Sequence, residues 1–174
     1  IHAAGIVGGI QANINQPVKF LADNFDIGRN ILLASREAGI QNLINLGSSC
    51  MYPRNRDRPL IENDILQGEL EPTNEGYALA KVSIARLCEY ISRENSYFKY
   101  KTLIPSNLYG RYDKFDPIKA HLIPAALHKL HTAKIKNLPT VEIWGDGTAR
   151  REFMFASDFI KAVFKSISDF DKCP

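Results

Sequence analysis

Two hydrophobic periods alternate along this chain, and the change from one to the other marks its elements. From Glu75 to about Asn95 the apolar positions Ala80, Ile84, Leu87, Cys88 and Ile91 keep the three-and-four spacing of a helix with one buried stripe. Pro17 to Ala38 predicts a second long helix: Pro17 suits its first turn, and Phe20, Leu21, Ile27, Ile31, Leu32 and Ala34 form its apolar face. Gly39 stops it. Asn42 to Leu46 is a short buried strand, Tyr97 to Ile104 alternates as a second, and Ile1 to Gly5 ends a third in a glycine-rich turn. Strands alternating with helices imply a parallel sheet with crossover helices. Ligands of such sheets bind beyond the carboxyl ends of the strands. Two polar runs fall at those ends: Gly47-Ser48-Ser49-Cys50 and Pro105-Ser106-Asn107-Leu108-Tyr109-Gly110.

The pattern changes after Gly110. Arg111 to Lys119 is charged loop, His121 to about Lys134 predicts a helix with Pro124 in its first turn, and Val141 to Trp144 predicts a strand closed by Gly145-Asp146-Gly147. Ser157 or Asp158 can cap a last helix through Phe164 and Ile167. The expected architecture is α/β: residues 1–110 form the C-terminal part of a Rossmann-like, doubly wound parallel sheet, and residues 111–174 form part of a smaller α/β substrate-binding lobe. Met51 to Gly76 is rich in Pro, Arg, Asn and Asp and has little periodicity. A loop this long in a compact domain points to function. Gly5, Gly8 and Gly9 do not make a Gly-x-Gly-x-x-Gly phosphate loop. The chain begins without Met and reads as part of a longer protein.

Composition narrows the classes. Apolar residues at 45% are enough for a sizeable core and too many for disorder. A net charge of +3 does not suggest a nucleic-acid-binding surface. No apolar run approaches the roughly 20 residues of a membrane span. Three cysteines without Cys-x-x-Cys indicate neither a disulfide framework nor a zinc site, which fits a reducing, cytoplasmic setting. Cys88 reads as packing and Cys173 as a bystander; His2, His128 and His131 read as structural.

The candidate chemistry centres on Tyr77-Ala78-Leu79-Ala80-Lys81. Four residues apart on a helix, Tyr77 and Lys81 share a face one turn apart. A phenol holds its proton to a pKa of about 10. A neighbouring ammonium favours the phenolate, so Lys81 is expected to lower the Tyr77 pKa and let the pair exchange a proton with a substrate oxygen. Tyr97 and Lys101 repeat the spacing in a strand, where four residues span roughly 13 Å and the groups do not couple.

Read together, Ser48-Ser49-Cys50-Met51-Tyr52-Pro53, Glu71-Pro72-Thr73-Asn74-Glu75, Tyr77-x-x-x-Lys81, Pro105 to Gly110 and Trp144-Gly145-Asp146-Gly147-Thr148 strongly resemble the GDP-L-fucose synthases. These GDP-4-keto-6-deoxymannose 3,5-epimerase/4-reductases are extended short-chain dehydrogenases/reductases. The resemblance implies NADPH-dependent reduction of the C4 carbonyl of a GDP-keto-sugar after epimerisation at C3 and C5. Tyr77 would protonate the carbonyl oxygen, and Lys81 would tune the tyrosine and hold the nicotinamide ribose. Ser48 would bind the carbonyl, with Ser49 as the alternative. Cys50 matches the epimerisation base and His121 its acid. Leu46, Gly47, Ser48, Ser49, Tyr77, Lys81, Pro105, Ser106, Asn107, Leu108 and His121 match residues lining the NADP cofactor. Lys129, Trp144 and Arg151 match contacts to the GDP-sugar, Lys129 standing where the family usually has arginine. The resemblance also implies that a Gly-x-x-Gly-x-x-Gly fingerprint precedes Ile1, that the rest of the sugar lobe follows Pro174, and that the enzyme is a cytoplasmic homodimer. Two other readings stay open: a C4 reductase without epimerisation, acting on a related GDP-keto-sugar such as a GDP-heptose, and a non-catalytic nucleotide-binding fragment.

Overall fold

The computed structural model describes residues 1–116, 120–143, 145–148 and 150–172. The chain runs α1 (Ile10–Asn15), α2 (Pro17–Glu37), β1 (Asn42–Leu46), α3 (Glu75–Glu94), β2 (Lys99–Leu103), β3 (Asn107–Tyr109), α4 (Leu122–Ile135), β4 (Phe153–Phe155) and α5 (Ala156–Ser168). β1 pairs in parallel with β2, Asn42 opposite Lys99 through Leu46 opposite Leu103. On the other side of β1, His2 makes a parallel bridge to Asn45. Its N–H donates to the Ile44 carbonyl at 2.7 Å, and its carbonyl accepts from Leu46 N–H at 3.0 Å. Three parallel segments thus lie side by side in chain order, with α2 and α3 as the crossovers.

α2 and α3 pack on one another and close the core over Leu32, Leu43, Ile84, Cys88, Ile91, Phe98 and Tyr100. The stripe expected on α3 is the buried one. That of α2 differs from the sequence reading. Its buried positions are Phe20, Asn24, Gly28 and Leu32, while Leu21 and Ala34 face outward. Two of the four carry no apolar side chain, so hydropathy alone overlooks them. Asn24 is buried because its amide clamps a loop: Oδ1 accepts from Ile6 N–H at 2.8 Å and Nδ2 donates to the Ile6 carbonyl at 3.0 Å. Gly28 is buried because a Cβ there would stand 2.6 Å from Ile84 Cγ1.

The long segment before α3 is held by Arg58, whose guanidinium grips the buried Asp64 carboxylate, and by the pair Arg54–Glu69. Beyond β2, the short strand β3 pairs in parallel with β4, Asn107 opposite Phe153. The strand expected over Val141–Trp144 is not formed at residues 141–143; Trp144 lies outside the described residues. The following turn is present: Gly145 and Gly147 take positive φ, and Asp146 accepts from Thr148 N–H and Oγ1. The last helix begins at Ala156 with Phe155 in the cap position, so neither Ser157 nor Asp158 caps it.

Candidate active site

β1 ends at Leu46, and Gly47 follows it. A Cβ on Gly47 would stand 2.9 Å from Met51 Sδ and close to Thr102 and Ile104, so a larger residue here would have to displace these side chains. Ser48 then caps a single 3₁₀ turn, Ser49–Met51, its hydroxyl accepting from Cys50 N–H at 3.4 Å. This turn packs against the start of α3. The Ser48 hydroxyl and Cys50 both lie near enough to the Tyr77 phenol to act on its pKa. Of the two serines, Ser48 is therefore the one placed against Tyr77.

Lys81 follows one turn along α3. It is buried, with its Nζ 5.8 Å from the Tyr77 ring centroid and donating to the Leu46 carbonyl at 2.9 Å. Phe20 of α2 braces the tyrosine edge-on, the ring centroids 6.5 Å apart. The helical spacing put Tyr77 and Lys81 on one face, and the structure adds the serine and the thiol from the strand end. The electrostatics differ from expectation. Burial, aided by the charge of Cys50, pushes the Tyr77 phenol up to about 12, and the nearby Ser48 hydroxyl offsets only part of this. Burial likewise holds the Lys81 ammonium below the usual lysine value. In this state desolvation outweighs the attraction between the pair, so Tyr77 is a firmly protonated phenol.

A dihydronicotinamide nucleotide can be tested against these residues. Lysine has three N–H donors. One is used on Leu46, leaving donors for the vicinal hydroxyls of a ribose laid over the strand end. Small residues there, Gly47 and Gly5, allow close approach. His2 is buried beneath them, held below its usual pKa by burial and by Lys81, with Nδ1 lacking a partner. The residues present fit such a group.

The remaining expected residues are less closely gathered. Pro105 and Ser106 leave the end of β2 next to Gly47, whose N–H donates to Leu103 at 2.8 Å. Asn107 and Leu108 fall in β3, and the Asn107 amide is turned onto the Glu152 carbonyl. His121 is exposed at the cap of α4, and among the described residues no hydrogen bond joins it to Cys50, Ser48 or Tyr77. Lys129 donates to the Glu142 carbonyl at 3.2 Å, and Arg151 is exposed before β4. Trp144 and Cys173 lie outside the described residues. Sequence reasoning assigned no part to Asn74, whose amide donates to Cys50 Sγ at 3.2 Å. Its place in an Asn-Glu pair at a helix start was the available signal, but that signal reads as an ordinary cap. Asn13, Pro17, Phe20, Thr73, Asn74 and Tyr77 border a cleft of about 190 Å³ beside the phenol.

A parallel sheet whose strand end presents a serine to a tyrosine, with a buried lysine one turn behind, defines a Rossmann-like short-chain dehydrogenase/reductase. The chain belongs to the NAD dependent epimerase/dehydratase family, which it matches over residues 1–173. It is 60% identical over 174 residues to GDP-L-colitose synthase of Yersinia pseudotuberculosis, covering all of this chain and 56% of that protein. It is 54% identical over 167 residues to GDP-L-fucose synthase of Azorhizobium caulinodans, covering 96% of this chain and 53% of the relative. The chain thus spans about half the length of the curated relatives it matches. Among solved structures, a GDP-mannoheptose C4 reductase from Campylobacter jejuni with NADP bound superposes with a TM-score of 0.84 at 29% identity, over 95% of this chain and 57% of the other.

Proposed function

We propose that this chain supplies the catalytic half of an NADPH-dependent reductase of a GDP-4-keto-6-deoxy-sugar, with epimerisation at C3 and C5 before reduction, yielding GDP-L-fucose or a close relative. One observation carries the reading: Ser48, Tyr77, Lys81 and Cys50 meet at a single strand end. That convergence also argues against a non-catalytic nucleotide-binding fragment. The nucleotide supplies hydride to C4 when bound. Ser48 steers the carbonyl, and Tyr77 donates its proton to the oxygen as negative charge develops there. A phenol near 12 suits this direction, because an alkoxide is a far stronger base than a phenolate. For epimerisation, the C4 carbonyl acidifies the flanking C–H bonds; the Cys50 thiolate takes a proton and His121 returns one to the opposite face. Lys129, Trp144 and Arg151 are assigned to the GDP-sugar, and residues 46–49, 105–108 and His121 to the cofactor. The domain boundary is placed at Gly110. A cytoplasmic homodimer joined through the long helices completes the proposal, supported by Val18, Leu21, Phe25 and Leu33 of α2, which are exposed. Among the described residues no helix is long and apolar enough to cross a membrane.

The sugar is the finer question. One relative is named for colitose, another for fucose, and a structural neighbour is titled a C4 reductase. The exposed position of His121, without a hydrogen bond to Cys50, favours the reductase-only reading as the alternative. The test uses the full-length protein with a panel of GDP-4-keto-sugars, in deuterated water, with NADPH or NADH. Mass spectrometry should find reduced product with NADPH and deuterium at C3 or C5. Reduced product without label establishes the C4 reductase instead, and no reduced product with any sugar refutes both.

A further inference from the structure

Asn74 occupies the cap position of α3, with φ −141° and ψ 21°, yet its side chain does not cap the helix. Asparagine is among the best N-cap residues, and losing that bond typically costs about 1 kcal/mol. Here the amide is turned away from its own helix, and Nδ2 donates to Cys50 Sγ at 3.2 Å, 24 residues back in the chain. The Asn74 Oδ1 atom is buried without a partner. A 3₁₀ turn, Pro72–Asn74, runs straight into α3 and is capped by Glu71, so the Asn74 side chain reaches the sulfur instead.

We infer that Asn74 is a positioning residue for the chemistry at the sugar's flanking carbons: its amide N–H fixes the Cys50 sulfur beside Tyr77 and presents a donor to it. The proposal rests on the reading of Cys50 as the base. An N–H donor stabilises the charged form of the atom that accepts from it. The geometry also links the two halves of the site. Asn74 holds the sulfur, the Cys50 N–H donates to Ser48, and Ser48 lies beside Tyr77. The neighbouring ionisable groups are Tyr77, with Lys81 one turn behind it, and the flanking Glu71 and Glu75; Glu71 is turned onto Thr73, and Glu75 is exposed. In the step itself the thiolate takes the proton from carbon, becoming a thiol, while the C–H electron pair passes into the enolate. Asn74 exchanges no proton.

Asn74→Asp and Asn74→Ala in the full-length protein separate this from a capping role. Aspartate has the same shape and caps as well as asparagine, but it presents an acceptor and a negative charge to the sulfur. Iodoacetamide alkylation of Cys50, located by mass spectrometry at pH 7, should slow at least about tenfold in Asn74→Asp and less in Asn74→Ala. Deuterium incorporation at C3 and C5 should fall in the same order, with the melting temperature of Asn74→Asp at or above that of Asn74→Ala. A capping role predicts wild-type alkylation and exchange in Asn74→Asp and overturns the proposal. Exchange that survives Cys50→Ser removes Cys50 as the base, and the proposal with it. Alkylation indifferent to Asn74, in a protein where Cys50→Ser does abolish exchange, overturns the proposal alone.

Discussion

Tyr77 and Lys81 illustrate how burial rather than adjacency sets a residue's charge. A phenol raised to about 12 stays protonated across the working pH range. Replacing Tyr77 with Phe should lower turnover in reduction by roughly 10²- to 10⁴-fold, the usual contribution of a positioned acid. Binding of the GDP-sugar, read by calorimetry, should change little; wild-type turnover would remove Tyr77 from the chemistry. Lys81 gives a stability prediction with a definite sign. Its folded pKa lies below the ordinary 10.5, so between the two values the unfolded chain holds more protons than the folded one. Stability from this group therefore rises with pH through that window. The unfolding free energy of the wild type, relative to Lys81→Met, should climb as pH rises toward 10.5 in denaturant titrations. A flat difference would mean the amine is not desolvated.

At the scale of elements, the α2–α3 contact is governed by one missing side chain. Gly28→Ala would gain up to about 1 kcal/mol of helix propensity. The new Cβ, 2.6 Å from Ile84, forces overpacking that costs typically about 1–3 kcal/mol. The net expectation is a lower melting temperature by thermal unfolding; a rise would show that Ile84 can repack freely. The loop between β1 and α3 depends on a charge. Arg58 and the Ile61 N–H hold the Asp64 carboxylate below its usual pKa. Its stabilisation is complete above the ordinary carboxylate value and is lost as pH falls through the folded one. Limited proteolysis within residues 52–71 should accelerate in Asp64→Asn at neutral pH, and in the wild type only in acid. Equal cleavage of variant and wild type at neutral pH would show that the pair does not hold the loop.

Across the whole molecule the core is uneven. Around β1, β2, α2 and α3 the buried side chains form one continuous cluster. In α4 and α5 the buried positions are Pro124, Ala133, Phe159 and Val163. Backbone amides of β1 and α3 should therefore exchange with solvent last, and those of α4 and α5 well before them. Uniform protection in hydrogen exchange would show instead that the two parts open together. The site sits at the edge of the better-packed part, so the strand end holding Ser48 and the helix start holding Tyr77 are fixed by the same core that stabilises the fold.

Periodicity was enough to define α2, α3, β1 and β2 to within a few residues, and to place Tyr77 and Lys81 on one face, because helical and strand spacing are local properties of the backbone. It missed the buried Asn24 and Gly28, since the first is satisfied by the distant Ile6 backbone and the second makes room for Ile84. The pairing of β3 with β4 spans more than forty residues, and three-residue strands carry no period of their own. Tertiary packing alone set Ser48 rather than Ser49 against the phenol, turned Asn74 toward Cys50, and raised rather than lowered the Tyr77 pKa. The sequence determined which groups could take part and along which faces they lie. Which of them meet, and in what protonation state, depends on how segments far apart in the chain exclude water from one another.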